Sequence, residues 1–184
     1  MKLEVYVDFL LAYNKKVNLV SKKSTRETIN TLISESLMLH KHLSTDFIID
    51  AGSGGGLLGI PLAIAFPEKK LVLTETIQKK ATFLKLASEE LDLKNVTIWG
   101  GAIQEYMQRQ KKIAGTLVSR GFPHIDVLAD YVFKGQIKEL ILITASSKIN
   151  NMQKRVANIN QNSYNIPSRN NLIIFKMENV SRET

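Results

Sequence analysis

The chain of 184 residues contains no cysteine. This absence excludes disulfide bonds, thiolate metal sites and cysteine nucleophiles, and it is compatible with a reducing cytoplasm. No apolar run reaches the roughly 20 residues that cross a bilayer, and the first residues lack the apolar core of a signal peptide. We therefore expect a cytoplasmic protein without a membrane partner.

Acidic side chains are scarcer than basic ones, with 17 Asp and Glu against 25 Lys and Arg, which leaves a formal net charge of +8. A basic excess suits a polyanionic partner such as nucleic acid. A soluble surface produces the same excess without any partner. Charge alone leaves both explanations open.

Strand-like and helix-like segments alternate from residue 47 onward. The predicted strands are 47–51, 71–75, 96–99, 115–119, 139–143 and 171–176. Helical patterns fill the intervals at 58–66, 77–91, 102–110 and 124–133. This alternation predicts an α/β fold with a doubly wound, Rossmann-like sheet that is mostly parallel, the last strand being antiparallel. The stretch 150–171, which is rich in Asn and Gln, is expected to be a loop or a weakly formed helix.

Two amphipathic patterns precede the first strand, at 3–18 and at about 25–43. They predict an N-terminal helical cap over 1–45, followed by the Rossmann-like core over 46–184. Neither a repeat nor a linker interrupts the chain. We therefore expect a single domain over 1–184.

A glycine cluster follows the first strand and precedes the first helix of the core. Strand, glycine turn and helix in succession are typical of a nucleotide or nucleoside site at the carboxyl edge of a parallel sheet. A P-loop is excluded because no lysine and hydroxyl pair follows the last glycine. A dinucleotide fingerprint, G-x-G-x-x-G, matches at Gly54, Gly56 and Gly59, but a single match of this kind is weak evidence.

The S-adenosylmethionine loop of the doubly wound methyltransferases, D-x-G-x-G-x-G, matches better. Asp50, Gly52, Gly54 and Gly56 fit it position by position. The glycines let the backbone approach the cofactor, and Asp50 is expected to serve the cofactor's amino group. Glu75 ends the second predicted strand, where a carboxylate accepts the ribose hydroxyls. These residues favour S-adenosylmethionine as the cofactor.

Residues 50–64, DAGSGGGLLGIPLAI, are similar to D-V-G-T-G-P-G-L-P-G-I-P-L-A-I of the RsmG or GidB family, the bacterial 16S ribosomal RNA guanine-N7 methyltransferases. Three further segments resemble that family. Residues 14–21 are similar to its W-N-x-x-x-N-L-T, 34–37 to its L-D-S-L, and 118–122 to its S-R-A-F. The resemblance extends along most of the chain and implies the class I methyltransferase version of the Rossmann-like fold.

The resemblance implies methyl transfer from S-adenosylmethionine to N7 of a guanine in 16S rRNA or a small-subunit precursor, without a metal, and we expect a monomer. It adds Leu57, Ile103, Gln104 and Arg120 to the cofactor-binding residues, and Arg120 is the candidate catalytic residue. Two alternatives stay open: a small-molecule methyltransferase on the same fold, and a cofactor-binding rRNA assembly factor without turnover.

The predicted reaction needs little acid–base chemistry from the protein. N7 of guanine carries a lone pair and no proton, so its methylation depends on position and electrostatic support. Arg120 follows an apolar strand at the edge where ligands bind, and its guanidinium is expected to bridge the cofactor and guanine O6 or a phosphate. The basic residues of the cap either contact phosphates or form a solvated face: Lys15, Lys16, Lys22, Lys23 and Arg26.

The chain departs from the family pattern at four places. Gly55 stands where the family's loop has a proline. Leu32 stands where the family has a histidine, and Gln104 stands where it has an acid. Residues 142–146, LITAS, replace the A-L-K-G that ends the family's fifth strand, so the lysine of that motif is missing.

Overall fold

A seven-stranded sheet forms the centre of the protein in a computed structural model that describes residues 1–149, 160–166 and 172–178. Its strand order is β3-β2-β1-β4-β5-β7-β6. The strands are β1 (Phe47–Ala51), β2 (Lys70–Thr74), β3 (Val96–Trp99), β4 (Ile113–Arg120), β5 (Ile137–Ala145), β6 (Asn160–Asn165) and β7 (Leu172–Glu178). The first five strands pair in parallel, and β7 is antiparallel to both β5 and β6. The predicted α/β fold with an antiparallel last strand is confirmed.

Strand β6 is a correction to the sequence analysis. Residues 160–165, NQNSYN, lie inside the stretch that we expected to be loop or weak helix. Asparagine is depleted in strands, so the pattern gave no local signal. The segment is a strand because its backbone pairs with β7, from Gln161 against Met177 to Asn165 against Ile173. The rest of the predicted loop, at 150–159 and 167–171, lies outside the described residues.

Six α-helices that lie wholly within the described residues surround the sheet. They are α1 (Lys2–Asn14), α2 (Arg26–Leu37), α3 (Gly59–Ala65), α4 (Gln78–Glu90), α5 (Ile103–Gln108) and α6 (Ile125–Phe133), and a 3-10 helix (Met38–His42) continues α2. Helix α1 ends earlier than predicted because the side-chain oxygen of Asn14 accepts hydrogen bonds from the backbone of Leu19 and Val20, which turns the chain. Thr25 caps α2 by accepting from the Thr28 amide. None of the helices in the described part of the chain is long and apolar enough to cross a membrane.

The two faces of the sheet carry separate apolar cores. One core joins the N-terminal helices to α3 and α4, with Tyr6, Leu10 and Ile29 packed in the same cluster as Ile60 and Leu84. The other core lies under α5 and α6. The N-terminal helices are therefore part of the packing that supports the first strand and its loop.

Strand β1 lies between β2 and β4, so the chain moves outward in opposite directions from the centre of the sheet. In open α/β sheets, the crevice at such a point, outside the carboxyl ends of the strands, is where ligands bind. The glycine cluster and Arg120 both lie at this edge, because each follows or ends a central parallel strand.

Candidate cofactor and substrate site

The loop after β1 has three glycines in a left-handed conformation: Gly52, Gly54 and Gly56, with φ of 71°, 58° and 81°. A Cβ atom at Gly56 would lie 2.7 Å from Ile60 and 2.8 Å from Leu84, so that position excludes any side chain. A Cβ at Gly54 would meet nothing within 4 Å. The backbone at Gly54 therefore faces open space, as expected where a ligand approaches the main chain.

Asp50 lies beneath this loop, and only 1% of its surface is exposed. Its Oδ2 accepts a hydrogen bond of 3.1 Å from the Gly59 amide, the first residue of α3. Burial raises the pKa of Asp50 to about 7, and the nearby charge of Glu75 adds to that increase. The carboxylate thus ties the strand end to the helix start, on the inner side of the loop.

Glu75 connects the end of β2 to the same loop. Its Oε2 accepts from the Gly54 amide at 2.8 Å and its Oε1 from the Ile77 amide at 2.8 Å, and the residue is buried. The predicted neighbourhood of Asp50, Glu75 and the glycines is therefore present. A carboxylate that accepts backbone N–H groups is also able to accept the hydroxyls of a ligand in their place.

A cavity of about 70 Å³ opens next to the loop. Three predicted cofactor residues line it, Gly52, Ile103 and Gln104, from the loop and from the start of α5. Phe122 closes the opposite side, and a Cβ at Gly52 would lie 3.0 Å from its ring. The volume is below the roughly 300 Å³ at which small-molecule sites begin, so a ligand of nucleoside size would enlarge this cavity or extend beyond it.

At this cavity one predicted cofactor residue is missing from the lining and one residue without a predicted role is present. Leu57 does not line it: the side chain is half-buried and packs against the core that includes the N-terminal helices. Phe122 lines it, although the sequence analysis gave this residue no role. An aromatic residue directly after Arg120 and Gly121, at the carboxyl end of a predicted strand, is the signal that points to it.

Arg120 ends β4 and reaches α2 instead of the glycine loop. Its guanidinium forms an ion pair with Glu35, which is 2% exposed, and its Nη1 donates to the Leu32 carbonyl at 3.1 Å and to Ser36 Oγ at 3.2 Å. Helix α2 therefore holds the guanidinium in a fixed orientation. The sequence analysis did not predict Glu35 as a partner, although it lies in the S-E-S-L segment that resembles the family motif.

A second cavity, of about 270 Å³, lies beside Arg120 at the carboxyl ends of β4 and β5. Its lining residues are Leu32, Arg120, Gly121, Ile143, Thr144, Ala145 and Lys148. The segment 120–122 separates it from the smaller cavity. Within the three described ranges, no cluster of His, Asp or Glu side chains is arranged to hold a metal ion.

The model of a protein family described as "GidB: rRNA small subunit methyltransferase G" matches residues 1–172. The chain belongs to this family. The resemblance inferred from the loop and the S-R-A-F segment is confirmed.

Individual relatives agree with this family. A Ribosomal RNA small subunit methyltransferase G from Brachyspira hyodysenteriae is 37% identical over 99% of this chain and 86% of the relative. A protein of the same name from Glaesserella parasuis is 39% identical over 70% of this chain and 62% of the relative. Among solved structures, an O-methyltransferase from Bacillus cereus in complex with SAH has a TM-score of 0.69 at 14% identity, covering 95% of this chain and 90% of that one. That likeness shows the fold alone.

Three of the four departures from the family pattern lie in the walls of the two cavities. Gln104 lines the smaller cavity next to Gly52. Leu32 and the end of β5, where the family's A-L-K-G is missing, line the larger one.

Proposed function

We propose that this protein uses S-adenosylmethionine to methylate N7 of a guanine in 16S ribosomal RNA. The observation that carries the proposal is the glycine loop at the centre of the parallel sheet, with Glu75 bound to the Gly54 amide and Gly52 and Gln104 beside it. Membership of the rRNA small subunit methyltransferase G family supports an RNA substrate. Such a substrate would place the protein in the cytoplasm.

The residues around the smaller cavity fit the cofactor. The open backbone face at Gly54 accepts close approach. We expect Glu75 to exchange one of its backbone partners for the ribose hydroxyls and the amide of Gln104 to bind the adenine, since an amide offers both a donor and an acceptor. S-adenosylmethionine supplies the methyl group. Asp50 holds the loop from below, and its charge favours a cationic ligand above it.

The larger cavity fits the nucleobase. Guanine N7 needs no general base, so the task of the chain is to hold the base in line with the methyl donor. We propose that Arg120, held by Glu35, Leu32 and Ser36, presents N–H donors to guanine O6 and thereby orients the ring. A guanidinium held by a buried carboxylate loses little conformational freedom when it binds, which favours precise orientation.

Calorimetry with S-adenosylmethionine, followed by transfer of labelled methyl to 16S rRNA from a strain that lacks the modification, tests this function. We expect micromolar binding and transfer to one guanine, identified by N7-specific cleavage of the RNA. Binding without transfer would indicate an assembly factor instead. Transfer to a small molecule but not to RNA would indicate a small-molecule methyltransferase. A protein that does not bind the cofactor would refute the proposal.

A further inference from the structure

Among the described residues that line the larger cavity, two are cationic and none is acidic. Its other lining residues are aliphatic, glycine or hydroxyl-bearing: Leu32, Gly121, Ile143, Thr144 and Ala145. Arg120 enters from the end of β4, and Lys148 lies just beyond the end of β5. The two cations reach the cavity from neighbouring parallel strands.

The charges of these two side chains are not equivalent. Arg120 forms an ion pair with the buried Glu35, and only 16% of the arginine side chain is exposed. The pair is neutral as a unit. Lys148 is exposed, and no acidic side chain among residues 1–149, 160–166 and 172–178 lies within ion-pair distance of it. Among the described residues that line the cavity, Lys148 is therefore the cation that no described acid neutralises.

We propose that Lys148 binds a backbone phosphate of the RNA next to the nucleotide whose base enters the cavity. This inference rests on the proposed function. An ammonium is a compact, strongly hydrated charge on a flexible stem, which suits a phosphate at a solvent-exposed rim better than the planar edge of a base. The neutral pair of Arg120 and Glu35 orients the base inside the cavity. Lys148 supplies affinity for the RNA strand that carries this base, so Arg120 and Lys148 have separable roles.

Lys148→Gln tests the proposal, and Lys138→Gln is the matched control. Both lysines are exposed and belong to or follow β5, but Lys138 lies at the amino end of that strand, away from the cavity. We expect Lys148→Gln to raise KM for 16S rRNA several-fold with kcat and cofactor affinity unchanged. Each phosphate contact contributes about −0.7 to −0.9 to the slope of log binding constant against log salt concentration, so the slope should become shallower by nearly one. Lys148→Arg should retain most of the affinity.

Equal KM values and equal salt slopes for Lys148→Gln and wild type would overturn the role of Lys148 while leaving the proposed function intact. A fall in kcat at unchanged KM would also overturn it, because it would indicate a role in orientation instead. Direct binding to 16S rRNA without turnover measures the same slope, so wild-type protein that binds but does not transfer still tests Lys148. Wild-type protein that binds no rRNA would refute both proposals.

Discussion

The two edges of the parallel sheet each contain a buried carboxylate, and their surroundings differ. At the carboxyl edge, Asp50 has backbone and hydroxyl partners, and no cationic side chain of the described residues forms an ion pair with it. At the amino edge, Glu139 is fully buried and accepts from the Ser44 amide, the hydroxyls of Ser44 and Thr116, and the Lys176 ammonium.

This difference has opposite effects on the two acids. Burial raises the pKa of Asp50 to about 7. Burial by itself also raises the pKa of Glu139, but the hydrogen bonds from Thr116, Ser44 and Lys176 outweigh it and hold that pKa below its ordinary value. A buried acid whose pKa is raised at a ligand-binding edge is a mark of a functional site. Glu139 at the amino edge is neutralised by Lys176, whereas Asp50 at the carboxyl edge has no cationic partner among the described residues.

The largest expected effect is on the amino edge. Glu139→Ala removes the buried partner of the Lys176 ammonium, 12% exposed, which keeps its ion pair with Glu178. Breaking a buried ion pair costs about 3–5 kcal/mol when a charge is left unpaired. Because Glu178 still pairs with Lys176, we expect the free energy of unfolding in urea to decrease by about 3 kcal/mol, the low end of that range. The affinity of the remaining folded protein for S-adenosylmethionine should be unchanged. A weakened affinity would contradict the separation of the two edges.

Arg120→Lys is expected to have the next largest effect, a loss of methyl transfer. The lysine keeps a charge for Glu35, so the fold is retained, but it loses the planar donor set that orients guanine. We expect methyl transfer to fall by about a hundredfold or more, as for other groups that stabilise or orient a reacting centre. Single-turnover transfer to 16S rRNA measures it, and circular dichroism checks the fold. Near-normal turnover would refute the role of Arg120.

Asp50→Asn removes the raised pKa at the carboxyl edge. Because the folded-state pKa of about 7 lies above the ordinary value of 3.8, the folded protein holds this proton more tightly than the unfolded chain. The associated stability is fully present below about pH 3.8 and is lost as the pH rises through 7. We therefore expect the variant to gain stability over wild type at pH 8, by on the order of 2 kcal/mol more than at pH 5.

Urea unfolding of both proteins at the two pH values measures this difference. Glu139→Gln should show the opposite pH dependence, because the pKa of Glu139 is lowered in the folded protein. The stability that the ionised Glu139 contributes to the wild type is present at pH 8. It is lost only as the pH falls through the folded-state pKa, below the ordinary value of 4.5. An identical pH dependence for the two variants would contradict the comparison.

The smallest effect is expected from alanine substitution of one glycine at each edge of the sheet. Gly54, in the loop, and Gly135, after α6, both have positive φ, at 58° and 64°. Alanine in this conformation costs about 1–2 kcal/mol, so both variants should lose a similar amount of stability. Only Gly54→Ala should weaken S-adenosylmethionine binding, measured by calorimetry. Equal affinities in the two variants would show that the loop backbone does not contact the cofactor.

Local patterns account for what was predicted correctly. Strand β1 and the glycine turn were recognised because alternation, β-branched residues and glycines at fixed spacing act over a few neighbouring residues. Strand β6 was missed because its residues carry no strand preference and its pairing with β7 is a tertiary contact. The network around Glu139 was missed for the same reason, since Ser44 and Lys176 lie far from it in the chain.

The charged residues around the cavity beside Arg120 could not be predicted from the sequence. The sequence predicted that Arg120 lies at the ligand-binding edge, but its partner Glu35 comes from a helix far earlier in the chain. The missing A-L-K-G lysine was interpreted as the loss of a cation, whereas the fold brings Lys148 to the same cavity.

By itself, the sequence determined the order of the elements apart from β6, the glycine loop and the family, because each depends on short-range spacing. The tertiary structure decided which charges meet. Asp50 lies under the loop, Glu75 binds Gly54, and Arg120 pairs with Glu35, whereas no acid among the described residues pairs with Lys148. The reason is physical. The free energy of a charge depends on its burial and on partners that the chain brings together only when it folds.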